Sequence, residues 1–338
     1  MLATKSSGRV RAGSIVAAIV SIVVLAIAAL LYLNRQYFSD QLVVWSYEPT
    51  AAIQDVSTRV AFSDKGKFYF YVTQPEIATA DTFNQDCPRQ EPSSPILGCY
   101  SNGRIFVYDI TNKQLDGIEE VTAAHEMLHA AWERLSDTEK DRLSGLLKTE
   151  YAKHATGTLA ERMAYYERNE PGELVNELHS ILPTEITTLS PELEAYYAQY
   201  FQDRQKVVSL HNQYNTVLEG LRTKVEGLYD QLMMLSASIE STTRTYEVQA
   251  ATLSTDIDQF NARAQSGGFT TQQQFAAERS TLTARAAQIQ TNRNAINTDI
   301  DRYNGLYTEY KQVAGELDSL NKSLDSITTI PQSPTIEE

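Results

Sequence analysis

Between Pro191 and Pro331 the chain has no proline, and within that stretch Tyr214, Leu218, Leu221, Val225, Leu228, Leu232, Leu235 and Ile239 recur at spacings of four and three. An apolar repeat of 3.5 residues held this long is the seam of a coiled coil, and neither a strand nor a compact globular segment has a use for it. Ser266-Gly267-Gly268 interrupts the repeat. A second arm then carries Leu282, Ala286, Ile289, Ile296, Ile300, Tyr303, Tyr307, Tyr310, Leu317 and Leu324. Two arms around one Gly-Gly turn predict an antiparallel coiled-coil hairpin over residues 190–328, turning near 266–271, with a longer arm of about 110 Å at 1.5 Å per residue. Such a seam serves either as a stalk or as a docking surface for a protein partner, and both readings stay open. Residues 329–338 are polar and proline-containing and predict a disordered tail.

At the other end, residues 15–33 read IVAAIVSIVVLAIAALLYL without a charge, close to the roughly 20 residues needed to cross a ~30 Å hydrocarbon core as helix. This predicts a transmembrane helix over 14–34. A cleaved signal sequence has an apolar stretch of about 7–15 residues followed by a small-x-small site, whereas Leu30, Leu31, Tyr32 and Leu33 follow the small residues here. Lys5, Arg9 and Arg11 precede the span and Arg35 follows it. The excess of positive charge before the span then keeps residues 1–13 in the cytoplasm and puts the remainder outside, as a single-pass protein of the cell membrane. Four of the 29 basic residues and none of the 43 acidic ones lie in residues 1–36, so the exterior part is more acidic than the net charge of −14 suggests. That surface repels nucleic acid and anionic lipid headgroups alike, which excludes a nucleic-acid partner and leaves attachment to the apolar span. On the oxidising side of a membrane Cys87 and Cys99 predict a disulfide, with reduced thiols as the alternative. Closing so short a loop stabilises by about 3 kcal/mol in the chain-entropy model.

Between these ends, residues 50–61 place Ile53, Val56 and Val60 at helical spacing, and Ser63-Asp64-Lys65-Gly66 reads as the turn that ends the helix. Residues 67–73 (KFYFYVT) and 104–110 (RIFVYDI) are aromatic and β-branched and predict two strands joined by the cysteine loop. From 117 to about 182 the signals are helical. Ser136-x-x-Glu139 and Thr158-x-x-Glu161 read as capping boxes, and Pro171 suits a first helical position.

Within that helical region stands His125-Glu126-Met127-Leu128-His129, and the whole chain has only five histidines. Positions i and i+4 share one helix face, so both imidazoles can hold one Zn2+ while Glu126 stands beside a water as general base. The plain alternative is a solvated helix face. The motif, on a helix that follows a predicted strand, resembles the zincin metallopeptidases. The metzincin branch is excluded because Trp132 and Leu135 occupy its glycine and third-histidine positions. The gluzincin branch takes its third ligand from a Glu on a later helix, often after Asn, and Asn176-Glu177 matches that pattern. The resemblance thus implies His125, His129 and Glu177 as metal ligands, with His179, Glu173 and His154 as competitors for the third place. It departs at Ile181, where an acid supporting a zinc-bound histidine is expected. Glu119 or Glu120 could take that role, though acids favour any helix start. His179, His154, Tyr165 and Tyr166 are candidate donors to a developing oxyanion, each with packing as the alternative, and His211 reads as packing.

The resemblance covers residues 100–185, about a quarter of the chain. It implies an α+β zincin-like catalytic domain over 37–189, with a small sheet, an active-site helix and a helical lower part. It also implies an extended peptide or protein substrate held by strand addition at Ile105 and Val107. The expected function is that of a membrane-anchored, extracytoplasmic zinc metallopeptidase. An amidase acting on a cell-wall peptide shares the site. A surface interaction or scaffold protein, using the coiled coil and carrying an inactive zincin-like domain, is the alternative from another class. Ser101-Asn102-Gly103 reads as a turn, and no nucleophile triad stands out.

Overall fold

A computed structural model describes residues 12–88, 96–170 and 172–326. Most of the expected cytoplasmic segment, the middle of the cysteine loop, Pro171 and the expected tail lie outside these. The described residues are mostly helical, with a three-stranded sheet. They divide into two compact units, Met1–Tyr214 with Leu324–Glu338, and Asn215–Ser323.

In the first unit, helix α1 (Ala12–Leu33) contains the window Val16–Leu33, long and apolar enough to cross a membrane and buried nowhere along its length. Only Asn34 separates it from α2 (Arg35–Ser46). Helix α3 (Ala51–Val60) forms as its pattern predicts: Thr50 accepts from the Ile53 N–H, and Ile53, Val56 and Val60 are buried. The next stretch differs. Ser63 accepts from the Gly66 N–H and opens α4 (Asp64–Val72), so the run 67–73 is helix and not strand. Its aromatics favour a strand locally, but tertiary packing overrides that preference. Phe70 is buried against Phe62, and Gly66 lies so close to the Tyr200 carbonyl that a Cβ there would stand 2.0 Å from the oxygen.

The sheet consists of β1 (Glu76–Ala78), β2 (Gly98–Ser101) and β3 (Arg104–Tyr108), in the order β1-β3-β2. Strand β1 runs parallel to β3 and β2 antiparallel to it. The strand expected at 104–110 is therefore the central one, and its neighbours are two short segments rather than 67–73. Asn102 and Gly103, both at positive φ, make the tight turn between β2 and β3. The cysteine loop joins α5 (Ala80–Asp86) to β2, and Cys87 and Cys99 are disulfide-bonded.

Helix α6 (Ile118–Glu133) buries Val121, Ala124, Met127 and Leu128 in the main core. Against it lie α7 (Asp137–His154), with Leu143 and Leu147, and α9 (Leu174–Glu185), with Leu178, Ile181 and Leu182. Ser136 caps α7 by accepting from the Glu139 N–H. The second expected box fails. Helix α8 (Gly157–Asn169) has Thr156 at its N-cap, because Gly157 takes a positive φ and turns the chain into the helix before Thr158.

Ser190-Pro191 opens only a short helix, α10 (Pro191–Tyr197), and the long helix α11 begins at Arg204 and ends at Gln265. Leu193, Tyr196, Tyr197, Tyr200, Phe201, Val207 and Val208 are buried in the main core, so residues 190–214 belong to the first unit and not to the hairpin.

In the second unit α11 is partnered by α12 (Gln272–Leu324). Lys224 pairs with Glu309, Gln249 with Asn292, Asp256 with Arg285 and Arg263 with Glu278, numbers rising on one arm as they fall on the other, which is antiparallel pairing. The turn lies between Gln265 and Gln272, with Phe260, Phe269 and Phe275 clustered beside it. The first arm keeps the expected register, with Leu228, Leu232, Leu253 and Phe260 buried. The second is displaced by one residue in places: Ile300 and Tyr307 are exposed, while Leu306 is half-buried and Val313 and Leu320 buried. Asn292 and Asp299 hold seam positions on this arm, which hid its register from an apolar-only reading.

Candidate metal centre

His125 and His129 project from one face of α6, their rings 4.7 Å apart and their Nε2 atoms 3.0 Å apart. Helix α9 crosses that face and brings Glu177, with Oε1 3.5 Å from His129 Nε2 and Oε2 3.6 Å from His125 Nε2. The three donor atoms lie within 4.8 Å of one another. Donors about 2.0–2.1 Å from a tetrahedral ion stand roughly 3.3 Å apart, so these spacings fit one cation. Two further observations agree. Glu177 Oε2 is buried without a hydrogen-bond partner. The orientation of His129 is fixed as well: its Nδ1–H donates to Asn176 Oδ1 at 2.9 Å, which leaves the Nε2 lone pair facing the centre. The Asn176 amide is itself oriented by donating to Glu173 Oε2 at 2.9 Å. Burial alone raises the Glu177 pKa, but the two imidazoles and the Tyr166 hydroxyl hold it below the ordinary carboxylate value.

Glu126 stands beside these groups, itself buried. Burial pushes its carboxyl up to about 7; His129 opposes that, Glu177 adds to it, and the Tyr100 backbone N–H opposes it. Gly98 is packed directly against it, since a Cβ there would lie 2.5 Å from Thr122 Cγ2 and 3.0 Å from Glu126 Oε1. Strand β2 therefore lines the centre. Leu97 O accepts from the Tyr108 N–H, and Gly98 lies opposite Val107 and Tyr100 opposite Ile105. In that antiparallel pattern the backbone groups of Gly98 and Tyr100 face the open edge. Ile105 and Val107 belong to the central strand, flanked on both sides, so the edge available to an extended chain is Gly98–Ser101 and not theirs.

The other expected residues sort clearly. Tyr166 belongs to the centre: burial, followed by the charge of Glu177, raises its pKa far above the ordinary phenol. Tyr165 packs its ring edge-on against Tyr166. His179 is fully buried among Trp132, Tyr196 and Tyr197, with Nε2 2.9 Å from the Tyr196 hydroxyl, and burial pushes its pKa down to about 3. It packs in the core and lies outside the group formed by His125, His129 and Glu177. His154 pairs with Glu150, and Glu173 is taken up by Asn176. Glu119 accepts from the Ile110 N–H at 2.7 Å and Glu120 pairs with Arg59, so neither supports a histidine. His211 lies 3.7 Å from Glu185 and edge-on to Tyr214, a packing position.

Three residues of the centre escaped the sequence reading in these roles. Asn176 is the partner of His129. Gly98 and Ser180 line the site, with Ser180 Oγ 3.3 Å and 3.4 Å from the two Nε2 atoms. The Asn before Glu177 was the one available signal. Two imidazoles and one buried carboxylate can hold a divalent cation, and the second carboxylate, Glu126, can take up a proton next to it. No protein-family model, curated protein or solved structure matches the chain.

Proposed function

We propose that this protein is a membrane-anchored zinc metallopeptidase of zincin-like type, with His125, His129 and Glu177 as ligands and Glu126 as general base. The convergence of those three donor atoms carries the reading. A bound zinc ion supplies Lewis-acid polarisation of the scissile carbonyl and acidification of a water. Glu126, buried against Gly98, would take a proton from an attacking water and give it to the leaving amine. Tyr166, with its hydroxyl beside Glu177, is the donor within reach of a developing oxyanion. An extended peptide adds to the open edge of β2, and α1 keeps the site at a membrane surface. The test is elemental analysis of the detergent-purified full chain, with cleavage of a mixed peptide library by wild type and Glu126→Ala. About one zinc per chain in both, with cleavage only in wild type, is expected. Cleavage unchanged in Glu126→Ala, or a chain without zinc, overturns it.

The second unit supports another reading, a surface interaction protein. Tyr229, Met233, Met234 and Val248 are exposed on α11 and offer an adaptable apolar surface to a protein partner. Zinc without Glu126-dependent cleavage favours it.

A further inference from the structure

Strand β2, whose Gly98 packs against Glu126, leads back from the centre to the helix that follows the apolar span. Side chains alternate along a strand, so Cys99 is tied by its disulfide to the end of α5 while Gly98 and Tyr100 face α6. The Tyr100 ring extends along α6, and its hydroxyl donates to Glu133 and lies 3.4 Å from Arg134 Nη1. Arg134 closes α6. Its Nη1 donates to Ala130 O at 2.9 Å, and its Nε and Nη2 grip Asp40 of α2 at 2.9 Å and 3.3 Å. Asp40 is the one buried residue of α2, and Gln36 donates to it at 2.9 Å from the preceding turn. The face of α2 opposite Asp40 presents Phe38, Leu42 and Trp45 to the exterior, and the two-point guanidinium pair at Asp40 ties its other face to the end of α6.

We infer that Asp40, Arg134 and Tyr100 form a positioning relay, in which the helix following the apolar span holds the open edge strand, and with it the Tyr100 N–H, against Glu126. The buried, bidentate Asp40–Arg134 pair is geometrically stiff, and Arg134 in turn fixes the tyrosine hydroxyl. An ordinary surface arginine at a helix C-terminus needs neither a buried acid nor a tyrosine from the active-site strand. The consequence is that α2, which directly follows the apolar span, also sets the alignment of the base. This rests on the hydrolase reading for its catalytic part and on geometry alone for its mechanical part.

The test uses the full chain in detergent, with Asp40→Asn and Tyr100→Phe singly and together. Tyr100→Phe leaves the Asp40–Arg134 pair in place, so an effect there does not come from undocking α2. Each single variant is expected to keep its zinc and its KM and to lose about tenfold in kcat, since small misplacements of catalytic groups are costly. The double variant is expected to lose no more than the larger single loss, because both act on one path. Deuterium exchange of the Tyr100 amide should be faster in Asp40→Asn. Unchanged kcat in either single variant, or losses that multiply in the double, overturns the relay. If the wild-type chain cleaves nothing, the hydrolase reading fails separately and amide exchange alone decides: faster exchange in Asp40→Asn supports the mechanical coupling, and unchanged exchange overturns it.

Discussion

Replacing Arg204 by methionine should destabilise the first unit by about 3 kcal/mol. The guanidinium is almost entirely buried, and it donates to Pro183 O at 3.0 Å, Ile186 O at 2.7 Å and Thr187 O at 2.9 Å while pairing with Glu194. Thr187 O keeps a second donor in Gln205, so the substitution leaves two carbonyls without this partner, those of Pro183 and Ile186. A hydrogen bond to a charged group contributes roughly 1.5–3 kcal/mol, and an orphaned acceptor costs about as much. Part of that loss is offset because no cation remains to be desolvated and the methionine fills the space of the stem. Glu194 is 40% exposed and adds little to the sum. Urea unfolding followed by Trp132 emission reads this unit, in a Trp45→Phe background that removes the exposed second tryptophan. With a slope near 2 kcal/mol/M the midpoint falls by about 1.5 M. Glu194→Gln keeps the carbonyl contacts and should cost under about 1 kcal/mol. A loss below about 1 kcal/mol for Arg204→Met, or an equal loss for Glu194→Gln, refutes the reasoning.

Burial alone raises the Glu194 pKa, but Arg204 holds it below the ordinary carboxylate value. Its contribution is therefore complete above the unfolded-state value and lost as pH falls through the lowered folded one, so Glu194→Gln should flatten the acid limb of a stability–pH curve. Gly98→Ala forces a methyl against Thr122 and Glu126 and should abolish cleavage while zinc is retained; Thr122→Ser, which removes the obstructing Cγ2, should restore part of it, measured as kcat. Asn176→Ala frees the His129 ring and should weaken zinc binding about 10–100-fold in a chelator competition.

His125 and His129 were readable because a helix converts a spacing of four directly into proximity, and the first arm of the hairpin because its apolar seam runs unbroken from Tyr214 to Ile239. Glu177 was readable only through resemblance; nothing local marks which of many acids meets a histidine 48 positions earlier. The run 67–73 misled because its aromatics satisfy strand propensity, while the helix is selected by contacts with Phe62 and Tyr200. Strands β1 and β2 were missed because three or four residues with little apolar content carry no period to detect. Ser180, Gly98 and Tyr100 act through backbone approach or hydroxyl placement, which residue type alone does not encode.

Helix α9 delivers the carboxylate, the amide that orients His129 and the hydroxyl beside both rings from Asn176, Glu177 and Ser180, little more than one turn. Half of the centre is thus a single rigid cassette. Inserting or deleting one residue within 174–180 rotates these groups by about 100° against the remainder of the helix, so all would be lost together. A change of length in the stretch leading up to the cassette leaves its internal phase intact, and variation between versions of this protein should collect there.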